Sequence, residues 1–208
     1  MKIKICGNKD PNNIQALLPL KPDFMGFIFY KPSQRYIGNI DNSFFKDIPP
    51  SVRKVGVFVN EEINSLIVHS KTLGLDYVQL HGEEDVEYVK MVYFTGVPVI
   101  KVFRIDEELP CEEIKKYESY VSYFLFDKKT EKYGGSGKKF PWSLLDTYVS
   151  HVPFIVSGGI GPDDAEALKQ IKHPKIYAAD INSCFETKPG IKNVEAITDF
   201  IKKIRYAI

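Results

Sequence analysis

RKVGVFVNEEINSLIVHSKTLGLDYVQLHG, residues 53–82, holds an apolar run, a helical segment and a second apolar run, in that order. Residues 53–59 and 76–80 are short and rich in Val, Phe, Tyr and Leu, as strands buried on both faces are. Between them, Ile63, Leu66, Ile67 and Leu73 recur on or near one helix face. Glu61 and Glu62 stand in the first turn, and Asn60 is the expected N-cap. A strand, a helix and a second strand joined this closely form a parallel pair with a crossover.

The unit repeats along the chain. Runs at 2–6 (KIKIC), 23–29 (DFMGFIF), 97–102 (VPVIKV), 123–127 (YFLFD), 152–156 (VPFIV) and 176–181 (IYAADI) bring the strand count to eight. Helical patterns fill the gaps at 11–18, 41–47, 83–92, 112–118, 142–149, 163–171 and 191–207. Eight alternating units predict a single-domain (β/α)8 barrel over residues 1–208, with an open doubly wound sheet as the competing architecture.

Composition narrows the function. The 208 residues carry 28 basic and 27 acidic side chains, so no strong field favours nucleic acid or an anionic membrane as partner. No apolar run reaches 18 residues, and MKIKICGNKD lacks the apolar core of a secretory signal. The three cysteines, Cys6, Cys111 and Cys184, are odd in number and far apart. A disulfide framework or a structural zinc site is therefore not expected, and a cytoplasmic setting fits. None of the four histidines stands three or four residues from another, and no dinucleotide fingerprint occurs. The expectation is no metal and no cofactor.

Barrel enzymes do their chemistry where strands end. Those positions here hold Cys6-Gly7, Arg35, Asn60, Gln79 with His81 and Gly82, Lys101 and Arg104, Asp127, Ser157-Gly158-Gly159, and Asp180 with Asn182 and Ser183. Gly158 and Gly159 after strand seven, and Asn182 and Ser183 after strand eight, suit a phosphate, because glycine lets backbone N–H groups approach an anion. GGSGKKF (134–140) offers a flexible loop after strand six that would close over a ligand.

KICG (4–7 with Lys4 leading), GFIFYKPSQRYI (26–37), VGVFVN (55–60), VQLHGEE (78–84), FD (126–127), GGSGKKFPW (134–142), SGGI (157–160) and GIKN (190–193) together resemble the phosphoribosylanthranilate isomerases of tryptophan biosynthesis. The resemblance runs from residue 3 to about 200. It implies a (β/α)8 barrel and a cofactor-free Amadori rearrangement of N-(5-phosphoribosyl)anthranilate, a small phosphosugar, to 1-(2-carboxyphenylamino)-1-deoxyribulose 5-phosphate, by a monomer or homodimer. Pro141, Cys184, Phe185 and Asn193 depart from the family's usual residues.

Carried onto this chain, the resemblance makes Asp127 the general acid and Cys6 the general base. A carboxyl of ordinary pKa, about 3.9, is ionised at pH 7, so an acid role asks for burial or nearby negative charge. A thiol of ordinary pKa, about 8.5, is a weak base that a cation would activate, and Lys4 shares a side of the first strand with Cys6. Arg35 is expected on the anthranilate carboxylate, Asp180 on the amine or the sugar hydroxyls, and His81 on the substrate or the thiol. Gly158, Gly159, Asn182 and Ser183 would take the phosphate. Two rivals are an indole-3-glycerol-phosphate synthase using Lys101, whose glutamate partners are not apparent in the sequence, and a barrel that binds a phosphorylated ligand without catalysis.

Overall fold

Strand after strand, the apolar runs are continuous rather than alternating, so both faces of each must be covered, and a barrel sheathed in helices does this. A computed structural model of the chain describes residues 1–38, 42–129 and 139–206. Its strands are β1 (Lys2–Ile5), β2 (Phe24–Ile28), β3 (Arg53–Phe58), β4 (Tyr77–Leu80), β5 (Val99–Ile105), β6 (Tyr123–Lys128), β7 (Phe154–Val156) and β8 (Ile176–Ile181). They pair in sequence order as a closed parallel barrel. The closing ladder joins β1 to β8 and sets Lys4 opposite Asp180. The open doubly wound alternative is thereby excluded.

The helices are α1 (Pro11–Leu17), α2 (Asn42–Lys46), α3 (Ile63–Leu73), α4 (Val86–Phe94), α5 (Cys111–Lys115), α6 (Ala165–Gln170) and α7 (Val194–Arg205). Four of them begin at a side-chain cap. Asp10, Glu62, Asp85 and Asn193 accept from the backbone N–H groups of Asn13, Ser65, Tyr88 and Ala196. Asn60 is not the cap of α3. Its backbone turns left-handed at φ 48°, and its Oδ1 accepts from Glu83 N at 2.8 Å, tying the end of β3 to the loop after β4. Asn193, one of the departures from the family pattern, is a competent cap, because asparagine and aspartate are near equals there. The segment expected to be helical at 142–149 forms only a 3-10 turn, Trp142–Thr147, led by Pro141.

One element is absent from the sequence reading. After β8 the chain makes a 3-10 turn at Ser183–Phe185 and then a hairpin of β9 (Glu186–Lys188) and β10 (Ile191–Lys192), turning through Pro189 and Gly190, whose φ is 84°. A two-residue strand has too short a pattern to read. The Gly-rich segment expected to close over a ligand lies outside the described residues as far as position 138, as does residue 207 of the C-terminal helical stretch.

Apolar side chains form two clusters. The larger fills the space between strands and helices. The smaller lies inside the barrel and holds Phe24, Val55, Ile100, Val102, Leu125, Ile155 and Ala178. Phe24 meets the rings of Tyr77, Tyr123 and Tyr177 edge-on, with centroids 5.8, 6.2 and 6.1 Å away. This aromatic plug seals the N-terminal half and leaves the other half for polar residues. Phe24→Ala should cost about 3–5 kcal/mol of stability. Thermal unfolding followed by circular dichroism should show the midpoint fall by roughly 6–20 °C; an unchanged midpoint would remove Phe24 from the core.

Candidate active site

A cleft opens at the C-terminal ends of the strands. Residues from β2, β3, β4, β6 and β8 and from the segments after β1, β2, β3, β4, β7 and β8 line it. Cys6, His81, Asp127, Gly158, Gly159, Asp180, Asn182 and Ser183 are all among them, and Arg35 is not.

On one wall the floor of the cleft is a buried charge cluster. Lys4 Nζ donates to Asp180 Oδ1 at 2.9 Å, and both side chains are almost fully enclosed. Asp180 Oδ2 accepts from Ser157 Oγ at 3.3 Å. The thiol stands against the same ammonium: a methyl group built on Gly26 would lie 2.6 Å from Cys6 Sγ and 3.1 Å from Lys4 Nζ. Only glycine on β2 leaves room for both.

Burial alone would pull the Lys4 ammonium down, but the Asp180 carboxylate and the Cys6 thiol outweigh it and hold Lys4 above its ordinary value. Burial also pushes the Asp180 carboxyl up, against the pull of Lys4 and with a further push from Asp127. The 2.9 Å contact decides for the charged pair, since a neutral acid would strand an enclosed ammonium. Burial pushes the Cys6 thiol up as well; Lys4 pulls it back, Asp180 pushes again, and the net direction is upward. The expectation of a thiol lowered by Lys4 is therefore corrected: the pull exists, and desolvation exceeds it.

Across the cleft, the carboxylate of Asp127 on β6 meets His81. His81 Nε2 lies 3.3 Å from Asp127 Oδ2, and Asp127 Oδ1 accepts from Lys128 N at 2.8 Å. His81 Nδ1 is 3.2 Å from Gln79 Nε2. Gln79 and His81 are two residues apart and so share the inner side of their strand. Gly158 passes close behind this group, with φ 86°, and a methyl there would stand 2.9 Å from Asp127 Oδ1.

A second ionic cluster stands beside the cleft. The Arg35 Nε and Nη2 groups fork onto Glu186 at 3.0 and 2.7 Å. Lys192 Nζ bonds Glu186 Oε1 and Asn182 Oδ1, each at 2.7 Å. Burial pushes the Glu186 carboxyl up, but Arg35 and Lys192 more than offset this and hold it below its ordinary value. Burial keeps the Lys192 ammonium below its own despite Glu186. Gly7, left-handed at φ 75°, brings the cluster up to Cys6: a methyl on it would lie 2.7 Å from Asn182 Oδ1 and 2.9 Å from Arg35 Cδ.

The sequence reading did not anticipate Glu186 and Lys192, whose positions depend on the unread hairpin. Nor did it pair Lys101 with Glu84. Lys101 sits within β5 rather than at its end, and its ammonium is engaged by Glu84 Oε2 at 2.8 Å and Gly82 O at 3.0 Å. It does not line the cleft. Among the described residues no group of His, Cys, Asp and Glu is arranged to hold a metal ion. No helix among them is long and apolar enough to cross a membrane.

Similarity to known proteins bears on the same cleft. Residues 3–203 match the family profile of N-(5'phosphoribosyl)anthranilate (PRA) isomerase. The N-(5'-phosphoribosyl)anthranilate isomerase of Parabacteroides distasonis is 41% identical over 206 residues, 98% of this chain and 93% of that one. The phosphoribosyl anthranilate isomerase of Thermus thermophilus superposes with a TM-score of 0.83 at 27% identity, over 98% of both chains. A second crystal structure, of a phosphoribosyl anthranilate isomerase in complex with reduced 1-(o-carboxyphenylamino)-1-deoxyribulose 5-phosphate, superposes with a TM-score of 0.78 at 28% identity, over 99% of this chain and 98% of that one. The chain belongs to the N-(5'-phosphoribosyl)anthranilate isomerase family, and its activity is that isomerisation, in tryptophan biosynthesis.

Proposed function

We propose that Cys6 and Asp127 carry the proton transfers of this isomerisation, Asp127 as acid and Cys6 as base. The supporting observation is that the two side chains, one just after β1 and one on β6, line a single cleft at the C-terminal ends of the strands. In the first step the Asp127 carboxyl gives its proton to the furanose ring oxygen. The C1'–O bond breaks, and the anthranilate nitrogen supplies the electron pair that makes the iminium. In the second step the Cys6 thiolate takes the proton from C2', and the freed pair forms the C1'=C2' bond of an enolamine. Transfer of the C2' hydroxyl proton away and of a proton onto C1' then yields the ketone. Each transfer needs a positioned group and no redox change.

The phosphate is read onto the backbone of Gly158, Gly159 and Ser183 and the side chain of Asn182, at the usual phosphate end of such barrels. Phe185 in that turn is buried against Phe200, with centroids 5.0 Å apart, whereas Cys184 is exposed. These two departures therefore leave the cleft wall itself to Asn182 and Ser183. Arg35, Lys192 and Glu186 together carry a net positive charge beside Gly7, which is where the reading sets the anthranilate carboxylate. Glu186 already occupies the Arg35 fork, so the substrate carboxylate meets the cluster in exchange for, or alongside, Glu186. Asp180, paired with Lys4, faces the substrate nitrogen or hydroxyls. The reading takes residues 1–208 as one domain acting in the cytoplasm without metal or organic cofactor, as a monomer or homodimer. The Lys101 rival loses ground because Lys101, though paired with Glu84, does not line the cleft.

Cys6→Ser and Asp127→Asn should each lower kcat by roughly 10²–10⁴-fold with little change in KM. Turnover of freshly made phosphoribosylanthranilate, followed by its fluorescence, measures both; near-normal kcat in either variant removes that residue from the chemistry. A fully active pair would favour the non-catalytic or alternative-site readings of those residues. Arg35→Ala should instead raise KM by about 10-fold or more, the worth of a charged hydrogen bond, and an unchanged KM takes Arg35 out of substrate binding.

The thiol also predicts a pH dependence. Burial lifts its pKa, so the thiolate forms only at more alkaline pH than a free thiol requires. Ultraviolet thiolate absorbance, taken as wild type minus Cys6→Ser, should therefore reach its midpoint above pH 9.0; a midpoint near neutral pH would contradict the buried thiol.

A further inference from the structure

One polar atom in the cleft lacks a partner. Gln79 is 1% exposed, lines the cleft, and its Oε1 is buried with no hydrogen bond, whereas its Nε2 faces His81 Nδ1 at 3.2 Å. An amide nitrogen can only donate, so the facing ring nitrogen must accept. The neutral imidazole then carries its proton on Nε2, the atom 3.3 Å from Asp127 Oδ2.

We infer that Gln79 is a positioning residue for the acid: it fixes His81 as the Nε2–H tautomer, which donates to Asp127 and aims its carboxyl into the cleft. This rests on the reading of Asp127 as the acid. The opposite tautomer would point a bare Nε2 lone pair at the ionised carboxylate and an Nδ1–H at the amide NH2, two repulsive contacts in one chain.

The test reads the ring directly. Long-range ¹H–¹⁵N spectra of the full-length protein, with His81 assigned by comparison with His81→Asn, should show the proton on Nε2 at neutral pH without substrate. Gln79→Met, which offers no hydrogen bond, should lose that preference and lower kcat about tenfold, the worth of one hydrogen bond, with KM nearly unchanged. Gln79→Glu, which offers only acceptors, should move the proton to Nδ1. A wild-type ring protonated on Nδ1, or a Gln79→Met protein with both tautomer and kcat unaltered, overturns the inference. The spectrum needs no turnover, so it is separable from the acid assignment. An Nε2–H ring together with a fully active Asp127→Asn would end the acid role and leave the tautomer control standing.

Discussion

The barrel closes by setting Lys4 against Asp180. Their backbones are paired in the β1–β8 ladder, 176 residues apart in sequence, and their side chains meet inside the barrel at 2.9 Å. Everything on that side of the cleft follows from this contact. Cys6 stands two residues beyond Lys4 on the same side of β1, so closure lays the thiol beside an ammonium. Asp180 faces Ser157, so closure also fixes the last residue before the paired glycines. Gly26 has no side chain because two occupied positions of β1 fill its space. A slip of β1 by one residue in the closing ladder would turn Lys4 and Cys6 outward into the apolar layer under the helices and leave Asp180 without its ammonium. The buried charge is thus a strong penalty on the wrong register.

The same contact divides the electrostatics of the cleft. Cations gather on the Cys6 side, where Lys4 and Lys192 both pull the thiol down. Asp180 stands among them, bonded to Lys4, and the nearby Asp127 pushes its carboxyl up. A proton-accepting group beside cations is what base chemistry asks for. Desolvation works against this, since burial lifts the thiol more than the cations lower it. A buried base is costly to ionise and, once ionised, has little water around it to blunt its attack on a carbon-bound proton.

The fold was legible because its signal is periodic. Eight apolar runs separated by helical stripes have one economical solution, and boundaries came within a few residues because Gly, Pro and cap residues punctuate them. What escaped had no period. The hairpin at 186–192 is too short for a pattern, and the segment after Pro141 reads as a helix by apolar spacing but forms a single 3-10 stretch. Asn60 has the chemistry of a cap, and a left-handed backbone lends its side chain to the neighbouring loop instead. In the site, Cys6, His81, Asp127 and Asp180 were visible because strand ends can be read one strand at a time. Gln79 was visible as a strand-end residue but had no evident role. Glu186, Lys192 and Glu84 act only through partners that the closed barrel supplies, so no local reading could have assigned them.

Three enclosed ion pairs remain to be explained together: Lys4–Asp180, Lys101–Glu84 and Lys192–Glu186. As stabilisers they are a poor choice, because desolving two charges offsets most of their attraction, and apolar residues of similar volume often do as well. The N-terminal half of this barrel makes that apolar choice, with Phe24 and its aromatic neighbours. The pairs lie in the half that holds the cleft, and each joins segments that the barrel alone leaves independent. Lys4–Asp180 joins first strand to last. Glu84 takes Lys101, Gly82 N and Asn60 N, so one carboxylate gathers the ends of β3 and β4 onto β5 beneath His81. Glu186 takes Lys192 and Arg35, so the loop after β8 is held to the loop after β2. An apolar contact would hold these loops together but let them slide; a bidentate or shared carboxylate fixes direction as well as distance. The pairs are best understood as the scaffold of the site, retained where a displacement of about an ångström would cost catalysis more than the charges cost stability.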